Sequence, residues 1–568
     1  MKRNLRIVSV FGVALSIVCS RHALADSHRL QIVNGNLVAI DTIIVKLPRD
    51  NYVNKLASWR PILVVTPRSN ALADRNGWYV LHAPSNFHNV TTLLHALDDD
   101  IRAIDTAPNA LVSAPRDPHG SLIYDLDFAW HFDDTEKDGP SAGHQFASVL
   151  PALNSVEDPG VAIFDSGVHR NVVKDRAWPA HAPFHFPPSD LGNWSSDIGI
   201  DCSGATLKPN FNPAGNHGSH VAAIITKHDG FYVVDCKVVD DRGIVTVDSV
   251  LTALAFVHEA KKQPVAGTGS NIRVISMCFG GLRLVNDAQC TSLDQAIQVA
   301  QDDQMLIVTS AGNGHESSDL SPRLPSRYSV PTTALQYGNV ISVGSVSDVA
   351  SGTDPFPFSL TSNYGINSVQ LCAVGENVPA PIGPGRPLTA SGTSAAAADV
   401  AGLAGSLFAE PANANLKPVD AKGIILQTVM KPALAINSFT GITVTRLSPL
   451  VLTGGVVNSV AALAFDAATL NACQVYVWPG FIVLQPGQSI STFATLEKYG
   501  AFALSPLISV ESPSVSGLTV AVDSTNPLKI NVVATSIVTP GIYHVAVRAV
   551  VGRNVLSETG LVVAISGG

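Results

Sequence analysis

Asp165, His217 and Ser394 are far apart in the chain, but together they could carry out nucleophilic chemistry. Asp165 ends the apolar run GVAIF and is followed by Ser166-Gly167. His217 opens the stretch His217-Gly218-Ser219-His220-Val221-Ala222 behind the Gly215-Asn216 turn. Ser394 lies in Ser391-Gly392-Thr393-Ser394, directly before four alanines. A serine hydroxyl is a weak nucleophile until an imidazole takes its proton, and a carboxylate holds that imidazole in the right tautomer. A turn that opens a helix adds backbone N–H groups and the positive end of a dipole, which suits a product that is an oxyanion. Asn313, in Ser310-Ala311-Gly312-Asn313-Gly314, carries an amide that could donate to the same oxyanion. Each residue alone has an ordinary explanation. The chain has 17 histidines, and Asp at a strand end or Asn before Gly are common turn residues.

The elements around these residues predict how they meet. Between 116 and 468, short apolar runs (GVAIF, FYVVDCKVV from Phe231 to Val239, Val274 to Met277, Leu306 to Val308, Val340 to Val343) alternate with helical stretches such as Val247 to Lys261. Continuous apolar strands separated by helices predict an α/β fold, a parallel sheet with helices on both faces. The polar groups follow the C-terminal ends of these strands, where open α/β sheets bind ligands.

Two flanking units are expected. Residues 26–115 read as a small α+β unit. Strands are predicted at Val38 to Leu47 and Gly77 to His82, a helix at Asn89 to Asp98 and a further strand at Ile101 to Val112, with an exposed boundary at Pro115-Arg116-Asp117-Pro118. From 469 to 568 the pattern becomes short alternating strands, which fits an all-β immunoglobulin-like sandwich. Its run IYHVAVRAV places Tyr543, Val545, Val547 and Ala549 on one face. Asp98-Asp99-Asp100 and Asp240-Asp241 read as solvated turns.

Residues 1–25 carry a basic start, an apolar centre and Ala23-Leu24-Ala25, the three parts of a secretory signal. Export to the extracellular space or periplasm is therefore expected. No second apolar stretch is long enough to span a bilayer. A net charge of −9 argues against nucleic acid and anionic membranes as partners. Of seven cysteines, Cys278 and Cys290 are close enough in sequence to close a small loop, while Cys236 and Cys372, inside apolar runs, read as buried thiols. No cofactor or metal is expected, and calcium is assigned no site.

The segments VAIFDSGV, HGSHVAA, VISMCFGG, SAGNG and SGTSAAAADVAG occur in that order at 161–168, 217–223, 274–281, 310–314 and 391–402. Together they resemble the subtilisin-type serine peptidases, the subtilases. The resemblance implies a secreted serine endopeptidase made as a zymogen, with Ser394 as nucleophile, His217 as base and then acid, and Asp165 as orienting carboxylate. Asn313 and the Ser394 N–H would form the oxyanion hole. Cys278-Phe279-Gly280 and a strand beginning Gly243-Ile244 would pair with the substrate backbone. Ser310-Ala311-Gly312 would line the specificity pocket, whose small neutral residues imply modest side-chain selectivity. Partners would be a protein or peptide substrate and the chain's own propeptide as inhibitor, with a monomer as the expected state.

The chain departs from the family pattern in places. Ala395 to Ala398 and Asp399 replace the Pro and His usual behind the nucleophile. The long Asp165–His217 segment implies an insertion bearing Cys202 over the cleft rim. The short His217–Phe231 segment lacks the usual calcium loop. The alternative reading is a catalytically impaired subtilase fold used for binding or adhesion.

Overall fold

The computed structural model describes residues 29–33, 36–48, 64–65, 77–82, 90–106, 116, 121–122, 124–131, 158–169, 172, 199–203, 208–209, 215–262, 271–280, 290–332, 337–351, 354–382, 387–431, 435–436, 443–444 and 447–566. The expected leader, residues 1–25, lies outside the described residues. The first unit is an antiparallel sheet. Strands β1 (Leu30–Val33), β2 (Asn36–Lys46), β3 (Val64–Val65), β4 (Trp78–His82) and β5 (Tyr124–His131) are ordered β5-β2-β4-β3, with β1 beside β2. Side chains alternate across a strand. Ile43, Val45, Tyr79 and Leu81 therefore pack under helix α1 (Val90–Asp105), while Val38, Ile44, Trp78 and Val80 face the other way.

Four expectations change in this unit. Residues 101–105 are helix rather than strand, because Leu93, Leu97, Ile101 and Ile104 form one buried helical stripe. The triplet Asp98-Asp99-Asp100 lies within α1, and Asp98 binds Arg102 and Arg116, both at 2.7 Å. Arg116 also reaches Asp105 at 3.1 Å, so this residue is tied to the helix rather than standing exposed, and the other residues of the expected boundary lie outside the described residues. The unit also does not end at 115, since β5 pairs with β2 in the same sheet.

The second unit begins with β6 (Gly160–Asp165), β7 (Gly199–Asp201) and β8 (Lys208–Pro209), then α2 (His217–Ile225), β9 (Tyr232–Lys237), β10 (Ile244–Thr246) and α3 (Val247–Lys262). It continues through β11 (Ile272–Met277), α4 (Thr291–Asp302), β12 (Leu306–Ser310), β13 (Val340–Val346) and β14 (Leu371–Val374). The sheet order is β14-β13-β12-β11-β6-β9-β7-β8, parallel throughout except for β8, which is antiparallel to β7. A hairpin of β15 (Val378–Pro381) and β16 (Pro387–Ala390) leads into α5 (Thr393–Ala409), and α6 (Pro418–Gln427) follows.

Both sheet faces are covered. Ala162 and Phe164 of β6 join the core under α3 and α4, and Val161 and Ile163 join the core under α2, α5 and α6. The outward face of the first sheet completes the α3–α4 side. Val38, Ile44, Trp78 and Val80 belong to that core, and Trp78 Nε1 donates to Gln295 of α4 at 2.6 Å. Cys202 is also in this core, and its N–H donates to the Lys237 carbonyl at 2.7 Å. It therefore extends the sheet rather than standing over a cleft rim. All six described cysteines are buried and none forms a disulfide, so Cys278 and Cys290 do not close a loop, whereas Cys236 and Cys372 are buried thiols as read.

After the two-strand pair β17 (Ala435–Ile436) and β18 (Thr443–Val444) and the short α7 (Ser459–Leu463), the chain is all-β. Strands β19 (Asn471–Trp478), β20 (Phe481–Leu484), β21 (Ser489–Gly500), β22 (Leu507–Glu511), β23 (Leu518–Val522), β24 (Lys529–Ala534), β25 (Gly541–Val551) and β26 (Asn554–Ile565) make two four-stranded sheets, β19-β21-β24-β23 and β20-β26-β25-β22. They share one core in which Val545, Val547 and Ala549 are buried and Tyr543 packs at the edge, the face anticipated from alternation.

This unit is fastened to the second by a buried charge. Lys422 of α6 is fully buried, and its Nζ lies 3.0 Å from Glu497 Oε2 of β21. Tyr476 and Tyr499 donate to the same carboxylate oxygen at 3.0 and 2.5 Å. Removing one partner of a buried pair leaves the other uncompensated. Lys422→Met is expected to lower stability by about 3–5 kcal/mol in urea denaturation, and an unchanged midpoint would contradict a structural role for the pair.

Candidate active site

Asp165 ends a strand between β9 and β11, and its side chain has no exposed surface. Its Oδ1 accepts from the Ser166 N–H at 2.7 Å and from His217 Nδ1 at 2.8 Å. A carboxylate can only accept, so the His217 proton is on Nδ1 and Nε2 is the nitrogen that can act as a base. Glycine permits this approach. A Cβ on Gly218 would lie 2.4 Å from the Gly167 carbonyl and 3.1 Å from Asp165 Oδ1. The loop after Asp165 is held from below by Asp235 of β9, whose Oδ2 accepts from the Val168 N–H at 2.8 Å. Burial raises the Asp235 carboxyl well above the usual range, and the nearby Asp165 raises it further. Asp235 was not singled out from the sequence. Its one signal was a carboxylate inside the apolar run FYVVDCKVV.

Ser394 is the second residue of α5, where N–H groups have no carbonyl one turn back. Its Oγ donates to the Cys278 carbonyl at 2.6 Å. Asn313 Oδ1 accepts from both the N–H and the Oγ1 of Thr393, each at 2.9 Å. Because a backbone N–H can only donate, the atom facing it must be the amide oxygen, so the amide NH2 points away from Thr393. Thr393 Oγ1 also accepts from the Gly312 N–H at 3.1 Å, which clamps the loop to the helix start. Thr393 thus holds Asn313, a role the Gly-Thr-Ser turn did not advertise.

Cys278, Phe279, Gly280, Ser310, Gly312, Asn313 and Ser394 line one pocket. Ala311 does not. Its side chain is buried with Val346, Val369 and Cys372, and its carbonyl accepts from Asn363 Nδ2 at 3.0 Å. Gly243 and Ile244 are not in the pocket lining either. Gly243 turns the chain with φ +75° and Ile244 starts β10, which pairs antiparallel with β5 in the register Ile244↔His131, Val245↔Trp130, Thr246↔Ala129. The lining also includes Asn363 and Arg323, so the pocket is not made only of small neutral groups. Among the described residues no three His, Cys, Asp or Glu side chains converge so as to hold a metal ion.

The helix behind Ser394 carries small residues where the resemblance leads one to expect a Pro and a His. Ala395 to Ala398 are buried against the sheet, and a Cβ on Gly402 would meet the His228 ring at 2.5 Å and the Ile225 carbonyl at 2.6 Å. Small residues therefore let α2 and α5 touch. Asp399 turns outward and meets His228 Nε2 at 2.8 Å. The carboxylate that replaces an imidazole is thus met by an imidazole from the turn after α2.

Residues 157–446, half of the chain, match the subtilase family model, and the chain belongs to that family of serine peptidases. It is 26% identical over 209 residues to the thermophilic serine proteinase of Bacillus sp. (strain AK1), covering 35% of this chain and 44% of that protein. It is 28% identical over 217 residues to an intracellular serine protease of Paenibacillus polymyxa, covering 36% of this chain and 57% of that protein. The chain thus spans about half the length of the curated relatives it matches. Among solved structures, it is similar to a protease from Pseudoalteromonas arctica PAMC 21717, at 19% identity and TM-score 0.38 over 55% of this chain and 91% of that one. It is also similar to a cold adapted subtilisin-like serine proteinase, at 21% identity and TM-score 0.36 over 56% of this chain and 96% of that one.

His220, one turn past His217, is structural. Its Nε2 donates to the Val378 carbonyl at 2.9 Å, and burial lowers its pKa from 6.5 to about 4. The folded ring therefore stays neutral where an unfolded one takes a proton. Stability from this residue is full above pH 6.5 and is lost as the pH falls towards 4, by on the order of 3 kcal/mol. His220→Gln is expected to flatten the acid limb of a stability–pH curve. An identical slope in both proteins would contradict this.

Proposed function

We propose that the chain is a serine endopeptidase that cleaves peptide bonds through an acyl-enzyme on Ser394. The observation that carries this reading is the bond between buried Asp165 and His217 Nδ1, with Ser394 and the amide of Asn313 lining one pocket at the C-terminal end of the same sheet. His217 Nε2 takes the Ser394 proton as Oγ attacks the carbonyl carbon, then gives it to the leaving amine. A water molecule repeats the cycle to release the acid. The tetrahedral oxyanion is met by the Asn313 amide and the Ser394 N–H, donors already in place before the reaction.

One observation favours the alternative, a catalytically impaired binding protein. The Ser394 hydroxyl donates to the Cys278 carbonyl and not to His217. In the peptidase reading this bond marks a resting rotamer. Rotation about a single staggered torsion presents Oγ to the imidazole once substrate competes for the Cys278 edge.

The finer parts of the proposal are export by residues 1–25, synthesis as a zymogen and a C-terminal immunoglobulin-like module. The pairing of β5 with β10 supports the zymogen, because a strand of the N-terminal unit lies along the edge assigned to substrate.

Ser394→Ala is expected to abolish both fluorophosphonate labelling and casein cleavage, whereas casein cleavage equal to that of the native chain would defeat the assignment. Asn313→Ala is expected to lower kcat by about 10²–10³-fold with little change in KM, measured on a peptide substrate.

A further inference from the structure

We propose that Asn367 is a positioning residue through which the C-terminal β unit holds the oxyanion donor Asn313 in place, so that this unit is a working part of the serine site. The inference deepens the peptidase reading above and rests on it.

Asn313 is gripped from both sides by Asn363, which is buried. The Asn363 N–H donates to the Gly312 carbonyl at 2.8 Å, and its Oδ1 accepts from the Gly314 N–H at 2.9 Å and the Glu316 N–H at 3.0 Å. Gly312 allows this approach, since it has φ +103° and a Cβ there would lie 2.6 Å from Asn363 Nδ2. The two segments then run side by side. The Tyr364 N–H donates to the Glu316 carbonyl at 3.0 Å, and the Ser318 N–H donates to the Tyr364 carbonyl at 2.7 Å. Asp319 closes the ribbon. It is buried, and its Oδ1 accepts from the Ser368 N–H at 2.9 Å and the Asn367 N–H at 3.3 Å.

Asn367 has no exposed surface, and its side chain is bonded into the C-terminal unit. Its Oδ1 accepts from the Val477 N–H of β19 at 2.7 Å, and its Nδ2 donates to the Gly560 carbonyl of β26 at 2.9 Å. These strands belong to different sheets, so one amide spans both. Beside it, Thr559 Oγ1 reaches the Ile366 carbonyl at 2.9 Å. Glycines admit the loop: a Cβ on Gly480 would lie 2.5 Å from Asn367 Nδ2, and one on Gly560 would strike Ile366. Breaking these bonds leaves main-chain groups of the interface short of a partner, which opposes any shift of the loop. The β unit therefore sets where residues 363–368 lie, and Asn363 passes that position to Asn313. The Lys422–Glu497 pair joins the same two units through α6 and β21, outside this ribbon.

The test measures kcat and KM on a peptide substrate for the full chain, Asn367→Ala, Thr559→Val, Lys422→Met, Asn313→Ala and the variant carrying both Asn367→Ala and Asn313→Ala. Fluorophosphonate titration counts the active sites, and urea denaturation gives the stability of each. Per labelled site, Asn367→Ala is expected to lower kcat by about tenfold or more with KM within about twofold, because a misplaced donor costs part of what a missing one costs. Thr559→Val keeps the side chain's shape, should lower kcat in the same sense by less, and carries the test if Asn367→Ala does not fold. Lys422→Met should lose stability and keep its kcat. Without the Asn313 amide there is nothing to position, so the double variant should be no slower than Asn313→Ala alone. A native kcat per labelled site in Asn367→Ala and Thr559→Val, losses that multiply in the double variant, or an equal kcat loss in Lys422→Met overturns this proposal and leaves the peptidase reading standing. A native chain that neither labels nor cleaves overturns the peptidase reading, and the positioning proposal with it.

Discussion

A carboxylate with no exposed surface, Asp165, ends a strand in the interior of the parallel sheet, and the rest of the site follows from keeping it paired. An unpaired buried charge is too costly to persist, so the Ser166 N–H and the His217 ring must both be within reach. This fixes where α2 begins, and Gly218 lets that turn press onto Gly167. The next strand carries a second buried carboxyl, Asp235, whose ionisation the first opposes. Two adjacent carboxyls thus divide their work. One is paired with an imidazole, and the other holds the loop at Val168.

The second half of the site is positioned by close packing instead of charge. Helix α5 runs through the core on alanine and glycine, which allows α2 to cross it almost at backbone contact. Thr393 then locks Asn313 and Gly312 to the first turn of that helix. The helix start and the loop after β12 consequently act as one rigid piece, with Ser394 at its edge. In the proposed mechanism this rigidity keeps the oxyanion donors from needing to reorganise.

Much of the second unit was legible because buried parallel strands read as continuous apolar runs, and residues after such runs fall at one end of the sheet. The N-terminal helix was cut short because the acidic triplet suggested a turn, although Ile101 and Ile104 continued the stripe begun at Leu93. Strand β5, which lies past the expected boundary near 115, joins β2 by backbone pairing, which leaves little trace in side-chain pattern. Cys202, Asp235 and Arg323 could not be placed from sequence, since their roles depend on neighbours distant along the chain. Arg323 in particular stands among turn residues whose pattern gives no sign that they fold back onto the serine pocket.

The central claim is that Asp165, His217 and Ser394 act as one unit. Its most direct measurement is the rate of fluorophosphonate labelling at Ser394 in His217→Ala, Asp165→Asn and the double variant. The account predicts large losses for each single change and a double variant no slower than the worse single, because either change already disables the same relay. Losses that multiply, or a Ser394 that labels at the native rate without His217, would contradict it.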